Sequence, residues 1–95
     1  MPAYFVAVRN AVNDADQMKL YSQKVGASFE GRAMKPLVRY GKIRSTDGRP
    51  AEGAVIIEFP TFEEAEAWFD SPAYQDAVQH RFAGADYQTF IVEGV

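Results

Sequence analysis

Apolar positions along the chain alternate between the repeat of a strand and the repeat of a helix, and each change of repeat predicts an element. Residues 54–59, Ala-Val-Ile-Ile-Glu-Phe, form an apolar run with three β-branched members between Gly53 and Pro60, which predicts a buried strand. Thr61 follows with Glu64 three residues on, the spacing of a capping box, so a helix is expected from there to Phe69. Ser71 and Pro72 open a second helix at once, because proline at a first helical position gives up only an amide that had no partner. Tyr74, Ala77, Val78 and Phe82 mark one side of that helix, and Gly84 stops it. Upstream, residues 4–8 are aromatic and aliphatic almost without a break and predict a first strand buried on both faces or nearly so. Asn13 or Asp14 caps the next helix, in which Met18, Tyr21, Val25 and Phe29 recur at three- and four-residue steps before Gly31 ends it. After Pro36, residues 37–44 carry a second strand in Leu37, Val38, Tyr40 and Ile43, and the polar turn at 45–50 leads back to the strand at 54–59. Residues 87–93 form a last strand through Thr89, Phe90, Ile91 and Val92.

The order strand, helix, strand, strand, helix pair, strand is the split βαβ pattern of the α+β, ferredoxin-like fold. It predicts one domain over residues 1–95, with a four-stranded antiparallel sheet carrying its helices on one face. The strands at 4–8 and 54–59 are apolar at consecutive positions rather than alternate ones, so the sheet face without helices also needs a cover. A second copy of the chain is the simplest cover, and a homodimer packed sheet to sheet is expected.

Composition narrows the chemistry more than it widens it. A chain of 95 residues with 47% apolar content is long enough to bury roughly 60 to 65% of its unfolded surface without staples. Cysteine is absent, which removes thiolate nucleophiles, disulfides and zinc-finger chemistry and suits a reducing cytoplasm. A net charge of -3 argues against general nucleic-acid binding, which needs clustered lysine and arginine. The RNA-recognition signature fails as well: Glu52 stands at its basic position, and Ala54 and Ile56 stand where bases would stack on aromatics. By the same register Ala54, Ile56 and Glu58 lie on the open sheet face, while Val55, Ile57 and Phe59 face the helices. The start carries neither a basic segment nor a long apolar one, and nowhere do eighteen apolar residues run together, so a soluble, cytoplasmic protein with no membrane partner is expected.

The residues that carry a family likeness are Tyr21, Leu37-Val38-Arg39 with Gly41, the block Ile57-Glu58-Phe59-Pro60, and Ala67-Trp68-Phe69-Asp70-Ser71-Pro72-Ala73-Tyr74-Gln75. Arg81 with Ala83, Ala85 and Asp86, and the ending Val92-Glu93-Gly94, extend it. On these the chain resembles the domain of unknown function 1330 family, small members of the dimeric α+β barrel superfamily. Where that family has a Tyr-Gly-Gly turn after its first helix, this chain has Arg32-Ala33-Met34. The resemblance implies a dimer of ferredoxin-like subunits and no particular activity. Haem-degrading monooxygenases of the same superfamily use an Asn on the first strand, a Trp in the penultimate helix and a His ten residues later. This chain offers Asn10 and Trp68, but Val78 stands at the position of the axial ligand.

No nucleophile elbow, paired-histidine metal motif, P-loop or dinucleotide turn is present, and no metal or cofactor is expected. The remaining candidates are polar residues inside apolar elements. Glu58 ends a buried strand and must be paired, solvated or protonated, so it is either half of an ion pair with Arg39 or Arg81 or a proton-transfer group. His80 is the one side chain that titrates near neutrality, although its place two residues past Val78 suits a solvated histidine. Arg39 and Arg81 are candidates for clamping an anionic substrate group, and Tyr21, Trp68 and Tyr74 for walls of a pocket or for core. The expectation is a pocket between sheet and helices that binds a small, partly apolar and anionic organic molecule. A cofactor-free enzyme and a non-catalytic structural or regulatory homodimer are its two versions.

Overall fold

A computed structural model describes residues 1–95. The chain runs through β1 (Ala3–Val12), α1 (Ala15–Val25), a 3-10 turn (Gly26–Phe29), β2 (Lys35–Arg39), β3 (Gly53–Phe59), α2 (Phe62–Phe69), α3 (Pro72–Gly84) and β4 (Ala85–Glu93). The strands make one antiparallel sheet in the order β2-β3-β1-β4, which is the ferredoxin-like arrangement that the element order predicts.

The helix starts form where short polar side chains can accept orphan amides. Asp14 takes Asp16 N at 3.1 Å and Gln17 N at 3.3 Å, Thr61 takes Glu64 N at 3.1 Å, and Ser71 takes Tyr74 N at 3.2 Å. Three elements differ from expectation. The first strand does not end at Val8 but runs on to Val12, because Arg9, Ala11 and Val12 still pair with Tyr87, Asp86 and Ala85 of β4 past an irregularity in register. The first helix stops being α-helical at Val25, because the Ser28 hydroxyl donates to the Val25 carbonyl at 2.6 Å and tightens the last turn. The second strand spans Lys35–Arg39 rather than 37–44, because Tyr40 turns the chain at φ 51° and residues 40–52 leave the sheet.

Register divides the sheet into two faces. Phe5 pairs with Ile57 and Ile91, and Ala7 with Val55 and Thr89, all on the side that meets the helices. The core there is mainly aromatic: Trp68 is edge-on to Phe5 at 5.0 Å, stacked on Phe29 at 5.2 Å, and 4.2 Å from Tyr74. Its indole N–H donates to Ser28 at 3.0 Å, so the largest side chain of the core leaves no polar atom unpaired. On the opposite face Tyr4, Val6 and Val8 of β1 pair with Glu58, Ile56 and Ala54 and with Val92, Phe90 and Gln88. Those three β1 side chains are half-buried rather than buried in a single copy, and Phe90, Val92 and Val38 are exposed.

The close contact of α1 with α3 depends on Gly84. Its carbonyl accepts from Asn13 N at 2.8 Å and from Asp14 N at 3.0 Å, and a Cβ there would stand 2.9 Å from Gln17 Cβ. Lys24 to Asp76 at 3.2 Å continues the seam. Helix α1 is therefore tied to α3, and it has no buried residue of its own. No helix is long and apolar enough to cross a membrane.

Candidate functional site

The space that α1 does not fill is a cavity of about 620 Å³ between that helix, the 3-10 turn and the helix-side face of the sheet. Alternation on the strands aims Phe5, Ala7 and Arg9 of β1 and Val55 and Ile57 of β3 into it. Met18, Tyr21 and Val25 come from α1 and Phe29 from the turn, while Trp68 closes one wall. Most of the lining is apolar, but Arg9, Arg39, Arg81 and Lys19 also line it, and no Asp, Glu or His does. In a chain of net charge -3, the cavity is a local concentration of positive charge.

Arg81 is the most withdrawn of these cations, at 4% exposure. Its Nε and Nη2 are buried and have no hydrogen-bond partner, and no carboxylate pairs with it. Aromatic rings surround the guanidinium instead, with Tyr87 at 4.8 Å, Phe82 at 5.3 Å and Tyr21 at 5.9 Å from its central carbon. Arg9 is different. Its Nε lies 2.7 Å from Glu52 Oε1, a charge contact without the alignment of a hydrogen bond, and its guanidinium sits 4.5 Å over the Tyr40 ring. Burial works against the charge on Arg9, yet Tyr87, Tyr40 and Glu52 beside it together hold its pKa above the ordinary value.

Three phenols line the same space, Tyr21, which is hydrogen-bonded to Tyr74 behind it at 3.0 Å, and Tyr40 and Tyr87, which are bonded to each other at 2.5 Å. Burial first, then the neighbouring Tyr74, raises the pKa of Tyr21. Burial and the bond to Tyr40 do the same for Tyr87. Both therefore stay protonated at neutral pH and can only present hydroxyl groups. Tyr40 reaches its partner from a left-handed backbone that bulky residues rarely adopt, and its ring lies so close to Gly53 that a Cβ there would be 2.7 Å away.

The residues singled out from sequence divide accordingly. Arg39, Arg81, Tyr21 and Trp68 are brought together at the cavity, with Arg39 exposed at the rim. Tyr74 is fully buried behind Tyr21 and is not part of the wall. Glu58 points to the opposite side of the sheet, where Tyr4 OH lies 3.5 Å from its carboxylate and Lys35 faces it across the strands. It pairs with neither Arg39 nor Arg81, because inward Ile57 and Phe59 force the residue between them outward. His80 lies outside the cavity on the α1–α3 seam, with Nδ1 2.8 Å from Gln17 Oε1.

Across the whole chain, residues 2–95 match the family model described as a domain of unknown function, DUF1330. The chain belongs to the DUF1330 family. No curated protein matches it. Among solved structures, this DUF1330 chain is similar to a protein of unknown function from Rhodopseudomonas palustris, with TM-score 0.73 and 18% identity over 99% of this chain and 82% of that one. It is also similar to a dimeric ferredoxin-like protein of unknown function from Thermobifida fusca (TM-score 0.65, 14% identity, 99% and 92% covered). A third is SnoaB, a cofactor-independent oxygenase from Streptomyces nogalater (TM-score 0.60, 12% identity, 99% and 93% covered). At these identities the likeness is one of fold.

Arg9 and Tyr87 line the cavity, and sequence reasoning passed them over. The signal was present: positions 5, 7 and 9, and 87, 89 and 91, each share one strand face, so an inward Phe5 implies an inward Arg9. A haem does not suit the DUF1330 cavity. Val78 at the axial-ligand position is fully buried in the core, and His80 is held against Gln17 on the seam outside.

Proposed function

We propose that this DUF1330 protein is a homodimer in which each subunit binds a small, partly apolar organic anion in the cavity between α1 and the sheet. The observation that carries this reading is the unpaired, buried Arg81 in an otherwise apolar cavity lined by cations and by no carboxylate. A buried guanidinium without an acceptor is costly, and an anion brings the acceptor. The volume lies within the range of small-molecule sites. Binding is favoured over proton-transfer catalysis, because Glu58 and His80 lie elsewhere and burial keeps the phenols Tyr21 and Tyr87 protonated. Dimerisation is supported by the apolar sheet face with exposed Phe90, Val92 and Val38, and by the dimeric state described for the Thermobifida fusca protein.

Thermal shift against a panel of small organic acids and their neutral analogues tests the reading. A ligand at one hundred times its Kd stabilises by about 2.7 kcal/mol, so acids that bind raise the midpoint by several degrees. The gain is expected for anions and is expected to disappear in the double variant Arg9→Gln, Arg81→Gln. Equal shifts from acids and neutral analogues, or none from any acid, would count against it.

A further inference from the structure

We infer that residues 32–44 form an electrostatic approach to the cavity, which draws the anion to a mouth between α1 and β2 and speeds its capture. This rests on the binding reading above and adds to it the route and the rate of entry. The lining shows where the mouth is. Phe5 and Ala7 of β1, Ile57 of β3 and Trp68 of α2 are buried, whereas Lys19 and Ser22 of α1, Pro36 and Arg39 of β2, and Tyr40 beside them are exposed. A ligand therefore enters between the α1 and β2 lips, and the sheet and α3 close the other sides.

Charge is distributed to match. Residues 32–44 hold Arg32, Lys35, Arg39, Lys42 and Arg44 and no Asp or Glu. The segment carries +5 in a chain of net charge -3, so all other residues together carry -8. Arg9, Lys24 and Arg49 are in ion pairs, with Glu52, Asp76 and Asp86. The other seven of the ten cations are the five of this segment with Lys19 and Arg81, so every unpaired positive charge either lines the cavity or lies on the strip that leads to it. Glu30 and Asp47 flank the strip and Glu58 faces Lys35 across the strands, which tempers the field without cancelling it. A strip of one sign beside an apolar cleft focuses the field at the cleft and raises the local concentration of counter-ions. Such charges act on arrival, not on the residence of a bound molecule. Lys42 and Arg44 belong to this role alone, because both are exposed and neither lines the cavity or lies in a strand.

The test is stopped-flow capture of anilinonaphthalene sulfonate, with its neutral parent phenylnaphthylamine as a control of the same body. NMR of methyl-labelled methionine places the probes, since Met18 and Met34 line the cavity and Met1 does not. Raising salt from about 10 mM to about 1 M shortens the Debye length from about 30 Å to about 3 Å, and is expected to lower the wild-type on-rate for the sulfonate about threefold or more. The on-rate of the neutral parent is expected to stay level. In the double variant Lys42→Glu, Arg44→Glu the sulfonate on-rate at low salt is expected to fall about threefold or more, with its off-rate unchanged and the two chains converging at high salt. Light scattering checks that the variant keeps the oligomeric state of the wild type, and the wild-type salt series stands by itself if it does not. A sulfonate on-rate that is flat with salt overturns the inference. So does a folded variant that captures the sulfonate at the wild-type rate, or one that slows sulfonate and neutral parent alike. Each of these outcomes leaves the binding reading standing. If the sulfonate moves neither the Met18 nor the Met34 methyl, the inference and the reading beneath it fall together.

Discussion

Tyr21 places its hydroxyl 3.0 Å from that of Tyr74 and its ring beside Arg81, so its protonation is tied to folding. Burial chiefly, with Tyr74 adding to it and Arg81 opposing, raises its pKa above the ordinary 10.0. Between that ordinary value and the raised one, the folded chain keeps a proton that the unfolded chain has released. Stability from this group is therefore complete below about pH 10 and falls as pH rises above it. Tyr87 acts in the same direction, because burial and Tyr40 raise it too. Midpoints measured by circular dichroism from about pH 8 to about pH 11 should stay level and then decline, and Tyr21→Phe should decline less steeply. An equal slope in the variant would mean that Tyr21 does not carry the alkaline loss. Glu58 teaches the complementary lesson. Its own strand register places it on the open face, so a partner on α3 is out of reach; alternation along β3, not the apolar character of its neighbours, decides where the lone charge goes.

At the scale of elements, the sequence made the caps and most of the strands legible because each is decided within a few residues. Asp14, Thr61 and Ser71 cap where their positions predict, and β3 lies within one residue of its expected bounds. What was not legible is non-local. The early end of β2 depends on Tyr40 meeting Tyr87 and Arg9, two residues far away in the chain. The cavity depends on α1 being held away from the sheet by α3, which no local pattern records. Gly84 is the tightest point of that seam. In Gly84→Ala, helix propensity would gain about 1 kcal/mol. The new methyl, however, would lie 2.9 Å from Gln17 Cβ and 3.0 Å from the Asp14 carbonyl, and backbone cannot swing aside. Overpacking of this kind costs about 1–3 kcal/mol, so a net lowering of the midpoint by several degrees is expected in thermal unfolding. A higher midpoint would show that the seam is looser than its geometry implies.

The whole molecule presents two apolar surfaces of different shape. One is concave, lies under α1 and carries cations; the other is the bare sheet face with Val6, Ile56 and Phe90 in a row across three strands. A face of that kind suits association, and in the homodimer proposed above a second copy of the chain would cover it without any further element. Phe90 is 45% exposed in a single copy, so Phe90→Asp should leave the subunit folded while placing a charge in the middle of the contact. Light scattering coupled to size exclusion should find a dimer for the wild-type chain and a monomer for the variant. A wild-type monomer would remove the sheet-face argument.

Trp68 is the single tryptophan of the chain, and it stands in the wall of the cavity, stacked at 10° on Phe29 with its indole N–H bound to Ser28. That position makes the protein its own optical probe. Excitation of the indole band reports from one known place, with no dye or label attached. A molecule entering beneath α1 changes the surroundings of that chromophore, so quenching or a spectral shift of its emission can follow occupancy in real time. The same feature that completes the core thus offers a quick screen for ligands of the class proposed above.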